Sequence, residues 1–237
     1  MEVAMLADDL LLLALDDERG TVLPQAALGL PYGLAGGVLM ELGLRGLLRM
    51  DGEKLSAVGT TGDAILDDAL RDIEARPGKT VAHWIARLSG GSPGLRQRLL
   101  DRLVAQGTLE KREQRILLLF HHTVYPERDG RVEHDVRARL DDALLHGARP
   151  DAPIAALIHL ATACQLLDAL YPKAQHAAIK ARVAQLDDPQ RLAADSVANA
   201  VQQAQAAAVM AAMSGAIVAS TIAATSAACA ATSASCH

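Results

Sequence analysis

The sequence predicts a mainly α fold, a single-domain helical bundle over residues 1–237 that carries one or two short β-hairpins. Three observations lead there. Half the residues are apolar (51%), yet the chain has one Phe, one Trp and three Tyr. Its core must therefore be Leu, Ala and Val packing, which suits helices. In the stretch Pro31 to Val58, Leu34, Val38, Leu39, Leu42 and Leu44 recur at three- and four-residue steps, the spacing of one helix face. The same stretch then holds Asp51-Gly52, a pair suited to the positive φ angles of a two-residue hairpin turn. At 237 residues the chain can bury a substantial core.

The predicted helices are 3–15, 33–45, 63–75, 80–88, 94–106, 132–146, 152–170, 174–186 and 192–222. Gly43 and Gly46 weaken the second helix, Leu47 to Met50 reads as a short strand, and Lys54 to Val58 reads as its return. Thr60-Thr61-Gly62-Asp63 and Asp151 before Pro153 carry helix-start chemistry. Pro77-Gly78, Gly90-Gly91 and Pro172 punctuate the remainder. A helix, glycine, strand, charged turn, strand order occurs twice, at Glu41–Leu48 and at Leu103–Glu110; the second copy returns through Ile116 to Phe120. The Ala-rich C-terminal helix is expected to fray after about residue 223.

Composition excludes some functions. A formal net charge of −5 argues against a duplex-binding surface, which needs a basic excess. Cys164, Cys229 and Cys236 are odd in number and lack metal-type spacing, as expected of buried thiols in a reducing compartment. Leu10 to Leu15 is short and follows Asp8-Asp9, so no signal peptide is read. Ala206 to Ala231 lacks charge and is long enough to span a bilayer, but its Ala, Ser and Thr supply little insertion energy. A buried C-terminal helix is the expectation there.

Few constellations carry chemistry. Arg96, Arg98 and Arg102 lie on helix 94–106, with Arg87 on the helix before it. Arg96 and Arg98 diverge, whereas Arg98 and Arg102 share a face. A guanidinium fork suits phosphate, although such faces are commonly solvated and paired with acids such as Asp101. His121, His122 and His134 lack zinc-protease spacing, and His159 and Cys164 do not face together. The pairs Asp8-Asp9, Asp16-Asp17, Asp67-Asp68, Asp141-Asp142 and Asp187-Asp188 diverge on a helix, which makes each a poor magnesium clamp. They read as helix N-terminal charge and solvated faces. No phosphate loop, nucleophile elbow or dinucleotide fingerprint is present. The expectation is a non-enzyme with no metal and no cofactor.

Several blocks in order resemble the Golgi phosphoprotein 3 family over roughly residues 6 to 170. They are Leu10–Leu13, the acidic turn Asp16–Gly20, Met40–Gly46, Thr61–Leu70, Val81–Ile85 and Leu117–Phe120. The resemblance implies a cytoplasmic, peripherally membrane-associated adaptor that reads phosphatidylinositol 4-phosphate. High Ala, Arg and Leu usage looks like a GC-rich bacterial genome, hence a bacterial-type member whose ligand is a phosphoinositide or another anionic lipid. Family pockets use a Trp, an early-helix Arg and two Args three apart. Arg96 matches the second of that pair, the first falls on Pro93, the early Arg on Ala35, and the Trp near Ala26, with Tyr32 the nearest aromatic.

The candidate headgroup residues are therefore Arg96, Arg98 and Tyr32. Leu117, Leu118, Leu119 and Phe120 stand as a membrane or self-association hairpin, by resemblance, with 121–131 as its wet tip. From the residues alone, 116–120 also suits a buried strand. The expected partners are an anionic headgroup, the membrane surface and a second copy of the chain in a homo-oligomer, with no nucleic acid. Two other readings remain. One is a winged-helix-like regulator, with 33–45 and the Asp-Gly hairpin as recognition helix and wing, against which stands the apolar surface of that helix. The other is a structural oligomer without a lipid ligand.

Overall fold

The computed structural model describes residues 5–16, 19–51, 54–90, 93–116, 120–128 and 130–186. The expected helix 192–222 and its tail lie outside them. Within them the protein is mainly α: α1 (Leu6–Leu13), α2 (Leu30–Leu44), α3 (Ala64–Ala75), α4 (Val81–Ser89), α5 (Leu95–Ala105), α6 (Arg131–Leu144), α7 (Ala152–Ala163), α8 (Leu167–Leu170) and α9 (His176–Leu186). The strands are β1 (Leu48–Asp51), β2 (Lys54–Ala57), β3 (Lys79–Thr80), β4 (Arg112–Ile116) and β5 (Phe120–Val124). They form an antiparallel sheet of order β1-β2-β3 and a separate β4-β5 hairpin.

The axis of the bundle is α2. It starts at Leu30, earlier than periodicity suggests, because Pro31 fits the first turn of a helix. The expected single apolar face is also too modest: Gly33 through Gly43 are buried without a break. A helix that is apolar all round belongs inside, and α2 packs against α1, α4, α7, α5 and α3. Small residues permit the close approach. A Cβ on Gly33 would overlap Cys164 Sγ, and one on Gly37 would stand 3.2 Å from the Ala7 Cα. This burial leaves α2 no surface for reading DNA, which removes the recognition-helix reading.

Capping chemistry falls where the sequence puts it. Asp63 accepts from the backbone N–H groups of Ile65 and Leu66 at 2.8 and 2.9 Å, and Asp151 accepts from Ile154 at 3.0 Å. Thr61 N–H and Oγ1–H both donate to Asp67 Oδ1 at 2.7 Å, holding the Asp67 carboxyl below its ordinary range. The helix-glycine-hairpin echo is a repeated motif. Gly46 and Gly107, at φ +71° and +79°, follow α2 and α5. The N–H groups of Leu47 and Thr108 each reach back to the carbonyls of Leu42 and Leu103 at 2.9 Å, closing left-handed C-caps.

Four expectations are corrected. Asp51 pairs with Lys54, so Asp51 belongs to the strand rather than to the turn. The chain adds β3 to that hairpin, with Leu55 opposite Lys79. Ile116 and Phe120, expected in one strand, belong to two different strands and pair with each other in the second hairpin. The residues 121–124, expected in a wet tip, form its return strand instead. The helix expected over 152–170 breaks at Gln165, whose φ of 57° forms the same kind of C-cap, with Leu166 N–H on the Ala161 carbonyl at 2.8 Å. No glycine marks that break, which is why the pattern misses it.

Candidate functional site

A cleft of about 250 Å³ opens where α3, α4 and α5 meet beside α2. Its floor is apolar: Val38, Ile65, Ala69 and Leu95 are all buried. Its walls carry Asp68 and Asp72 from α3, Arg87 from α4 and Arg98 from α5, with Gly90 and Pro93 also lining it. The four charged side chains get there by helical spacing: Asp68 and Asp72 are one turn apart on α3, so both carboxylates fall on one face.

Each carboxylate is shared between two arginines. Asp68 Oδ2 accepts from Arg98 Nη2 at 2.5 Å, and its Oδ1 takes Arg71 of the same helix. Asp72 Oδ2 pairs with Arg87 at 2.9 Å, and its Oδ1 accepts from Arg76 Nη1 at 2.7 Å. The Arg76 hydrogen bond, with Arg87 assisting, holds the Asp72 carboxyl below the ordinary carboxylate range. Four guanidiniums against two carboxylates leave an excess of two positive charges. The cleft pairs are partly wet: Arg98 side-chain exposure is 32% and that of Arg87 is 40%.

The expected headgroup residues do not converge. Arg98 lines the cleft. Arg96, two positions earlier, is exposed on another side of α5, and its side chain forms no hydrogen bond or ion pair among the described residues. Tyr32 packs half-buried against the core edge and does not line the cleft. It precedes Val38 by six residues, roughly 9 Å along the axis at 1.5 Å per residue. Ala35 and Ala26, where the resemblance gives an Arg and a Trp, are fully buried. Leu117, Leu118 and Leu119 lie outside the described residues; Phe120 opens β5. Arg87 is the cleft residue that sequence reasoning left in the background. Its signal, the Asp68/Asp72 turn on α3, becomes legible only when α4 is known to pack alongside.

A second charged cluster is structural. Arg102 shares its face with Arg98 as expected, but it is 14% exposed and bridges Asp8 at 2.5 Å and Asp63 at 2.6 Å. Asp8 and Asp9 are buried, correcting the solvated-face reading of that pair. Burial, with Asp8 adding repulsion, pushes Asp9 up to about 7. Glu41 Oε2 accepts from Leu6 N–H at 3.2 Å, and its Oε1 from Arg45 Nε at 2.8 Å. Thus a residue of α2 caps α1, whose own N-cap, Met5, cannot. Among the described residues no group of His, Cys, Asp and Glu has the makings of a metal site, and no helix is long and apolar enough to cross a membrane.

The chain is similar to two fungal proteins called vacuolar protein sorting-associated protein 74. The one from Schizosaccharomyces pombe is 29% identical over 162 residues, covering 59% of this chain and 48% of the relative. The one from Eremothecium gossypii is 28% identical over 163 residues, covering 59% and 49%. The chain spans about half the length of these curated relatives. The Golgi phosphoprotein 3 (GPP34) family model matches residues 6–208, most of the chain and nearly all of the bundle just described, and the chain belongs to that family.

Proposed function

We propose that this chain is a non-enzymatic, peripheral membrane adaptor that docks on anionic lipid headgroups. The observation that carries the reading is the cleft between α3, α4 and α5, with an apolar floor and two partly exposed guanidiniums, Arg87 and Arg98, on its walls, each paired with a carboxylate that Arg71 or Arg76 also holds. Guanidiniums bind phosphate oxygens with paired hydrogen bonds, and an apolar floor accepts the ring or glycerol carbons beneath. Arg98 acts inside the cleft, Arg96 meets the lipid surface from the flank, and Tyr32, in the first turn of α2, stands outside the cleft. Each basic residue near an anionic surface contributes roughly 1 kcal/mol, so these few give modest affinity. Apolar insertion by Leu117–Phe120 or self-association supplies the remainder. Among the described residues no further strand pairs with the edges of the β4-β5 hairpin, which suits the second of these.

The ligand chemistry is a phosphorylated headgroup, with phosphatidylinositol 4-phosphate the family's example. Ala, Arg and Leu usage suits a GC-rich bacterial source, where phosphatidylglycerol is the more abundant anion. Co-sedimentation with vesicles separates these sources. Phosphatidylcholine vesicles carry phosphatidylinositol 4-phosphate, an equal charge of phosphatidylglycerol, or neither. Selective pelleting with the first, lost in Arg96→Ala/Arg98→Ala, is the expected result. Equal pelleting with both anionic sets means charge attraction alone, and no pelleting with any set overturns the reading.

A further inference from the structure

We propose that Asp68 and Asp72 act as built-in competitors for the cleft arginines and set which anion the cleft accepts. The inference rests on the reading that the cleft takes a lipid headgroup. Docking is then an exchange: a headgroup phosphate replaces Asp68 on Arg98 and Asp72 on Arg87.

The hydrogen-bond arrangement makes that exchange feasible. Each aspartate gives one oxygen to an arginine three or four residues on, Arg71 within α3 or Arg76 just past its end, and the other oxygen to a cleft arginine from a different helix. When the cleft arginine turns to a ligand, its former carboxylate keeps that local partner and is not orphaned. The pairs are exposed enough, with Asp68 at 41% and Asp72 at 36%, to be weak and to exchange readily. Neither aspartate caps α3, a task done by Asp63.

Selectivity follows from charge. A phosphodiester such as the phosphatidylglycerol headgroup carries one negative charge, the same as the carboxylate it must displace, so exchange gains little. A phosphomonoester carries about −1.5 to −2 at neutral pH and three acceptor oxygens. It outcompetes a carboxylate for a guanidinium fork. The aspartates thus raise the threshold for anions in general and leave it passable for monoesters. They also hold Arg87 and Arg98 in place before the ligand arrives, which lowers the ordering cost of binding.

The test is co-sedimentation with phosphatidylcholine vesicles carrying phosphatidylinositol 4-phosphate or an equal charge of phosphatidylglycerol. The proteins are wild type, Asp68→Asn/Asp72→Asn, the same pair with Arg87→Ala/Arg98→Ala, and Asp142→Asn/Asp168→Asn as a charge-matched control away from the cleft. Thermal melts confirm that each variant is folded. The expected result is tighter binding of Asp68→Asn/Asp72→Asn to phosphatidylglycerol, by about fivefold per freed arginine. Binding to the monoester rises less, so the preference between the two lipids falls. Removing Arg87 and Arg98 cancels the gain. An unchanged preference, an equal gain in the charge-matched control, or a gain that survives loss of the arginines overturns the proposal. Wild-type failure to bind either anionic vesicle overturns the adaptor reading. In that event, binding acquired by Asp68→Asn/Asp72→Asn upholds the competition, and its absence refutes that too.

Discussion

Two arginines four residues apart on α5 show how burial decides a role. Arg98 is one-third exposed and exchangeable, whereas Arg102 is enclosed and holds α1 and the start of α3 through Asp8 and Asp63. Beside that pair sits Asp9, which burial, Asp8 and Glu41 push up to about 7 against the opposing influence of Arg139. Its folded value lies above its ordinary 3.8, so the folded state binds the proton more tightly than the unfolded chain. Its contribution to stability is full below pH 3.8 and is lost as pH rises through about 7. Asp9→Asn keeps the neutral form at every pH. The variant is expected to unfold at higher denaturant than wild type at pH 8, and that advantage is expected to shrink by on the order of 2 kcal/mol at pH 5. Urea midpoints at the two pH values measure this. Equal midpoints at pH 8 would mean that Asp9 is ionised without cost in the fold.

At the scale of elements, the close contact of α2 with the end of α7 makes the sharpest prediction. Gly33→Ala places a methyl group on Cys164 Sγ, with Leu10 Cδ2 3.1 Å away on the other side. Overpacking of this kind costs about 1–3 kcal/mol. Removing the sulfur should return most of it, so Gly33→Ala is expected to be much milder in a Cys164→Ala background. A double-mutant cycle by chemical denaturation reads the coupling; additive effects would refute the contact. The cycle also marks what the sequence disclosed. Helix starts were legible because Asp63 and Asp151 cap their own helices, and helix ends at Gly46 and Gly107 because glycine announces a left-handed residue. The break at Gln165 was hidden because a non-glycine residue took that conformation. The burial of α2 on every side was hidden because Gly33 and Gly37 carry no apolar side chain for a periodicity to register, whereas they are points of close packing. The cleft was half legible. Arg98 stood out as a guanidinium on a basic helix, but its partner on α3 and its neighbour Arg87 on α4 meet it only through tertiary packing.

Across the whole molecule, the formal charge of −5 sits against a cleft whose cluster is net positive, so the rest of the chain is more acidic than the total suggests. The proposed docking puts the α3–α5 face toward the anionic surface and the more acidic remainder away from it. Beyond about 10 Å its repulsion is screened at 0.1 M salt, and the cleft contacts act at closer range. Few phosphate contacts also mean little counterion release. A protein making 6–10 phosphate contacts loses about 10³–10⁵ in affinity between 50 and 200 mM salt. With the two or three arginine contacts of the proposed docking, the chain is expected to lose about 10- to 40-fold on phosphatidylinositol 4-phosphate vesicles over that range. It should show no matching affinity for duplex DNA. A salt series of vesicle and duplex binding measures both. A loss of a hundredfold or more would require an extended basic surface, which the described residues do not form, and would move the membrane contact away from the cleft.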